Sequence, residues 1–153
     1  MVTSTDPLAI FKISGITPQI RELETEAVAE GFRFLTRLIA EWESGANRFD
    51  QQGECLFGAF HNGRLLAIGG LSCDPFAGPD TGRLRRVYVA RASRGQNVGK
   101  ALVQQLLELA CEHFRVVRLS TDTPEGAAFY LRCGFRPIQD DFATHMKSLV
   151  DVT

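Results

Sequence analysis

Six cations lie between Gly82 and Lys100, namely Arg83, Arg85, Arg86, Arg91, Arg94 and Lys100, and no carboxylate interrupts them. The last of them flank Ser93-Arg94-Gly95-Gln96-Asn97-Val98-Gly99-Lys100-Ala101, a glycine-containing turn that leads from an apolar strand into an amphipathic stretch. The first N–H groups of a helix have no partner inside it and sit at the positive end of its dipole. Cations around such a turn therefore predict a phosphate site. Two common phosphate binders are excluded by spacing. A Walker turn needs four residues between its glycines and then Lys-Ser/Thr, whereas three separate Gly95 from Gly99 and Lys100 is followed by alanine. The dinucleotide fingerprint GxGxxG is absent, and so is a βαβ series of the required length.

The elements around this turn follow from periodicity and punctuation. Leu8–Ile13 reads as a strand, and Thr17-Pro18 as an N-cap followed by proline at the first helical position. From Gln19 to Glu43 apolar residues recur at helical spacing, with Gly31 separating two helices whose Phe32, Phe34 and Trp42 are expected in the core or at a pocket border. Asn62-Gly63 between Cys55–Phe60 and Arg64–Leu71 predicts a hairpin; His61 at that turn is expected to be solvated. A loop over Ser72–Gly82 is long enough to wall a pocket. The strand Leu84–Val89, a helix from Val98 to Phe114, the strand Val116–Thr121, a helix begun by Thr123-Pro124 and stopped by Gly134, and closing strands in Phe135–Ile138 and Thr144–Leu149 complete the chain.

The order strand, basic glycine turn, amphipathic helix, strand and capped helix, within Arg83–Arg136, resembles the core of the Gcn5-related N-acetyltransferase (GNAT) superfamily. In that family an Arg/Gln-x-x-Gly-x-Gly/Ala turn follows the fourth strand. The present chain matches it at Arg94 and Gly99 and carries Asn97 where glycine is usual; asparagine is the next most tolerant residue of positive φ. Ala128-Phe129-Tyr130-Leu131-Arg132-Cys133-Gly134-Phe135 resembles the second family pattern, Phe/Leu-Tyr-x-x-x-Gly-Phe, and Thr123 stands where many relatives have asparagine.

The resemblance implies an α/β (α+β) fold with a mixed, mostly antiparallel sheet of six to seven strands, helices on both faces, and a splayed fourth and fifth strand. It implies acetyl-CoA as acyl donor, with the pantetheine arm on the main chain of Val87, Tyr88 and Val89. The pyrophosphate would lie on Arg94, Gly95, Gln96, Asn97, Val98, Gly99, Lys100 and Ala101, with Thr123, Phe129 and Arg132 also bordering the coenzyme. Tyr130 would donate a hydrogen bond to the coenzyme sulfur. Many relatives carry a glutamate on the fourth strand; Arg83–Val89 has none, which leaves Asp122, Asp74 or a water chain as the base, and gives His145 a structural role first. The expected reaction is transfer of an acetyl group to a primary amine. The alternative is a non-catalytic acyl-CoA-binding sensor, favoured by the missing carboxylate and by Asn97. The acceptor, a small molecule or a peptide, and the oligomeric state are left open by these residues.

Composition sets the outer limits. A chain of 153 residues, 44% hydrophobic and 23% charged, fits one soluble domain spanning residues 1–153. Lys+Arg 17 against Asp+Glu 18 gives a net charge of −1, so no global field draws the protein to nucleic acid or an anionic membrane. Cys55, Cys73, Cys111 and Cys133 form no CxxC, so no metal site is expected and the thiols are expected free and buried. With no basic-then-apolar leader and no long apolar run, a cytoplasmic location is expected.

Overall fold

The computed structural model describes residues 8–149. Their strands form one seven-stranded sheet in the order β1-β2-β3-β4-β5-β7-β6. In chain order the elements are β1 (Ala9–Lys12), α1 (Pro18–Ala29), α2 (Phe34–Ser44), β2 (Cys55–His61), β3 (Arg64–Cys73), β4 (Thr81–Val89), a 3-10 turn (Arg91–Ser93), α3 (Val98–Ala110), β5 (Val116–Leu119), α4 (Pro124–Arg132), β6 (Arg136–Pro137) and β7 (His145–Ser148). All neighbouring strands are antiparallel except β4 and β5. The expected mixed sheet with helices on both faces is therefore the observed architecture.

Side-chain alternation, shifted on β3 at Leu66 where the register with β2 slips, assigns the strand residues to two cores. Cys55, Ala59, Ala67, Leu71 and Leu84 pack with Leu102, Val103 and Leu106 of α3, whereas Leu56, Leu65, Ile68 and Tyr88 pack with Ile20, Leu23, Leu35 and Leu38 of α1 and α2. On β4 the parity changes partway. Leu84 belongs to the α3 side, and so do Val87 and Val89. The switch occurs at Arg86, which adopts φ 60°, where the register with β3 slips between Ile68 and Gly70. This is a β-bulge, and it re-aims every later side chain on the strand.

Several boundaries differ from expectation. The helix begun at Val98 ends at Ala110, because Glu112 and His113 close tighter three-residue turns, after which the Phe114 ring lies over Gly82. The loop before β4 is shorter than Ser72–Gly82, since β3 runs to Cys73 and β4 starts at Thr81, paired with β5. The closing strands are shorter too, at Arg136–Pro137 and His145–Ser148. Of the four cysteines, all free, only Cys55 is buried; Cys73 and Cys111 are exposed and Cys133 is half-buried, which corrects the expectation of buried thiols.

Candidate active site

The sheet is split at its centre. β4 pairs with β5 only over Thr81–Arg83 against Val116–Arg118, while β5 keeps β7 along its whole length. From Leu84 to Val89 the β4 edge facing β5 is therefore open. Ala90 donates its N–H back to Leu66 of β3 at 2.7 Å, so the main-chain groups of Val89 lie on the opposite, open side. There the Val89 carbonyl accepts from Arg94 Nε at 3.1 Å, and its N–H remains available.

At the end of this edge the chain turns into α3. Gly95 adopts φ 79° and Asn97, the N-cap, φ 64°. Asparagine thus holds the left-handed conformation in which glycine is usual. The first helical bond runs from Ala101 N to Asn97 O at 3.0 Å. Among the described residues the N–H groups from Gly95 to Lys100 meet no acceptor, so the anion site has its donors free. Gly99 has a second reason to lack a side chain. A Cβ there would come within 2.9 Å of Val89 Cγ2 and 3.2 Å of the Phe129 ring, so this glycine lets α3, the end of β4 and α4 meet.

Arg94, the cation expected on the phosphate, is engaged elsewhere. Its guanidinium grips Glu30 of α1 through Nη1 and Nη2 at 2.8 and 2.6 Å and lies 5.4 Å from the centre of the Tyr88 ring. That bidentate contact is the main cause holding the Glu30 carboxyl down at about 2, with the Tyr88 hydroxyl assisting. Tyr88 OH is 2.5 Å from Glu30 and 2.7 Å from Glu26, and Glu26 also accepts the N–H of Arg91. The Tyr88 side chain is thus committed to α1, and its main chain faces β3 opposite Ile68, which corrects the expectation that Tyr88 offers main chain at the gap. Glu26 and Glu30 were not identifiable as site residues from sequence, because nothing at their helical positions points to a strand and a turn about sixty residues later.

On α4, Thr123 caps the helix by accepting from Gly126 N at 3.0 Å. Phe129, Tyr130 and Phe135 stack edge to face, with centroids 5.0 and 5.8 Å apart. Burial, with the nearby Cys133 thiol, pushes the Tyr130 hydroxyl well above the usual phenol range, so it keeps its proton. Among the described residues it has no hydrogen-bond partner. Burial also raises the Cys133 thiol, although Lys100, Arg132 and Lys147 oppose that shift. Lys100, Lys147 and α3 border a groove of about 530 Å³ that also includes Cys133.

The candidate bases separate cleanly. Asp74 is fully buried and paired with Arg83 at 3.3 Å and Arg118 at 3.0 Å, and it accepts the N–H of Phe76 as well. It anchors the β3–β4 loop. Asp122 is exposed beyond the end of β5, with no hydrogen bond among the described residues. His145 is buried, its Nδ1 2.8 Å from Thr144 Oγ1. On the α2 side of β4 a polar cavity of about 300 Å³ is bordered by Glu41, Asp50, Glu54, Ser72 and Arg85. No local sequence pattern marks it, because its lining comes from α2, the segment after it, β3, the β3–β4 loop and β4. Among the described residues no cluster of His, Cys, Asp or Glu is placed to hold a metal ion, and no helix is long and apolar enough to cross a membrane.

A central sheet parted between two parallel strands, with an anion turn at the end of the parted edge, defines an acyltransferase scaffold. Residues 18–135 match the acetyltransferase (GNAT) family, and the chain belongs to it. The fold is similar to that of a putative acetyltransferase from Exiguobacterium sp. 255-15, with TM-score 0.83, 24% identity, and 93% of each chain covered. It is also similar to a GNAT-family N-acetyltransferase from Escherichia coli in complex with CoA, with TM-score 0.64, 17% identity, and 97% and 86% of the two chains covered. An aminoglycoside 6′-N-acetyltransferase complexed with coenzyme A superposes with TM-score 0.69 at 14% identity over 95% of this chain and 99% of that one. No curated protein matches the sequence significantly.

Proposed function

We propose that the chain acts as a single domain that transfers an acetyl group from acetyl-CoA directly to a primary amine. The observation that carries this reading is the open β4 edge ending in a turn of unpartnered N–H groups. Those groups fit the two polar parts of the donor. The N–H groups from Gly95 to Lys100 suit the pyrophosphate, joined by the side chains of Lys100 and Arg132. Val87 and Val89 offer main chain to the amide-rich arm, with Val89 contributing its N–H. Arg94, held by Glu30, serves mainly to fix the turn against α1. Thr123 and Phe129 border the arm from α4.

Aminolysis of a thioester needs a neutral amine in line with the carbonyl carbon and a stabilised sulfur leaving group. Tyr130 retains its proton and has it free to donate toward that sulfur. Thiolate is a tolerable leaving group near neutral pH, so a hydrogen bond suffices without full proton transfer. Asp122 is the carboxylate proposed to take the amine proton, directly or through water, since Asp74 is consumed by two arginines. The gap between β4 and β5 lets donor and acceptor approach from opposite faces of the sheet.

Binding is tested by thermal unfolding with acetyl-CoA. At ~100 times its dissociation constant, a ligand of the folded state alone adds roughly 2.7 kcal/mol. The expected result is a clear rise in midpoint, and an unchanged midpoint at millimolar acetyl-CoA contradicts the reading.

A further inference from the structure

Three arginines of β4 lie on the α1/α2 side of the sheet, and two of them have carboxylate partners. Arg83 donates to Asp74 at 3.3 Å and to Ser120 at 2.9 Å, beneath the Phe76 ring. Arg86 donates to Glu41 at 3.1 Å. Arg85, between them, makes neither an ion pair nor a hydrogen bond among the described residues. Its place on this face follows from parity, because Gly82 and Leu84 face α3 before the bulge. It borders the 300 Å³ cavity.

A half-buried guanidinium without a partner in contact is costly, since burial removes part of its water and no anion touches it in exchange. Burial is the first cause that lowers the Arg85 pKa, followed by the like charge of Arg86, while the negative charges of Glu41 and Glu54 oppose the shift from a distance. Of the carboxylates at the cavity, Asp50 accepts only from the side chain of neighbouring Gln51, at 3.4 Å, and the other two are engaged. Glu41 is taken by Arg86, and Glu54 accepts the main-chain N–H groups of Gln51 and Cys73 at 3.2 and 2.9 Å. A second donor on the same face, Arg86 Nε, is buried without a partner. Arg85 is two residues beyond Arg83, the last β4 residue paired with β5, and so within ~7 Å along the strand of the point where the sheet parts.

We propose that Arg85 pairs with a carboxylate on the acceptor, so that the preferred acceptors are small amines that carry a carboxylate, such as free amino acids. This rests on the N-acetyltransferase reading above. Asp50 and Glu54, which have no cationic partner among the described residues, supply the negative surroundings that attract the ammonium end of a zwitterion, and Arg85 receives the other end. A cavity of this volume lies at the small end of ligand sites, which suits an amino acid.

The test compares matched acceptors with acetyl-CoA: phenylalanine with phenethylamine, leucine with isoamylamine, and β-alanine with ethylamine. The expected result is a preference for the carboxylate member of at least one pair, carried mainly in KM. Arg85→Gln removes that preference by about 10- to 100-fold and Arg85→Lys restores part of it. Equal use of both members in every pair, use of the bare amines alone, or an unchanged preference in a folded Arg85→Gln protein overturns the assignment. If no pair reacts, calorimetry of the CoA-loaded protein with N-acetylphenylalanine and N-acetylphenethylamine decides it. Binding of only the former supports the pairing, and equal binding or none overturns it. Absence of acetyl-CoA binding would instead defeat the acetyltransferase reading itself, which separates the two failures.

Discussion

Glu30 holds Arg94 with both carboxylate oxygens, at 2.6 and 2.8 Å, so the arginine beside the anion turn is already paired without phosphate. The contact ties α1 to the segment between β4 and α3.

Because the Glu30 carboxyl sits at about 2 when folded, below its ordinary 4.5, the pair contributes stability above pH 4.5. That contribution is lost as pH falls through the folded value. Arg94 is 42% exposed, so screening reduces the pair to about 1 kcal/mol. Denaturant unfolding of Glu30→Gln is expected to show that deficit at pH 6 and a shrinking one between pH 4.5 and 2; a deficit that stays constant over this range contradicts the pairing.

Asp74→Asn removes the one carboxylate shared by Arg83 and Arg118, whose side chains are only 12% and 13% exposed. Leaving buried charge uncompensated typically costs about 3–5 kcal/mol, and Asp140, at 3.3 Å from Arg118, offsets part of it. The expected loss is about 3 kcal/mol in urea unfolding. A variant as stable as the parent removes Asp74 from the anchoring role.

The turn into α3 makes opposite demands at two positions. Asn97→Gly relieves a left-handed backbone at φ 64° and is expected to leave stability equal or slightly raised. Gly99→Ala forces a methyl against Val89 and Phe129 and should cost about 1–3 kcal/mol. Thermal midpoints of the two variants check the pair, and a tolerated alanine at 99 would mean that α4 yields easily.

Most of the architecture was legible because each element carries its own local mark. Thr17-Pro18 and Thr123-Pro124 start helices, Asn62-Gly63 turns a hairpin, and a helical stripe runs through Leu102 and Leu106. What stayed hidden depends on contacts between distant segments. An arginine at φ 60° leaves no trace in sequence, so the bulge at Arg86 and the parity change after it were invisible. The engagement of Arg94 by Glu30, the burial of Asp74 between two arginines, and the solitary Arg85 are tertiary facts of the same kind. The turn and the Tyr130 segment were legible because their spacing is local.

Tyr130→Phe keeps the ring between Phe129 and Phe135 and removes only the hydroxyl. Acid catalysis is worth about 10²–10⁴-fold, and support of a thiolate that can leave unaided falls at or below the lower end. The turnover number is expected to drop roughly 10- to 10²-fold with CoA affinity unchanged, measured where chemistry limits the rate. An unchanged rate would leave Tyr130 as a packing aromatic.

The most direct test of the whole account is amine-dependent release of free thiol from acetyl-CoA by the wild-type protein, across amino acids, polyamines and peptide N-termini. Catalysis predicts release that rises with at least one amine and matches N-acetyl product one for one. A protein that binds acetyl-CoA yet releases no thiol with any of these amines would contradict acetyl transfer and support the acyl-CoA sensor instead.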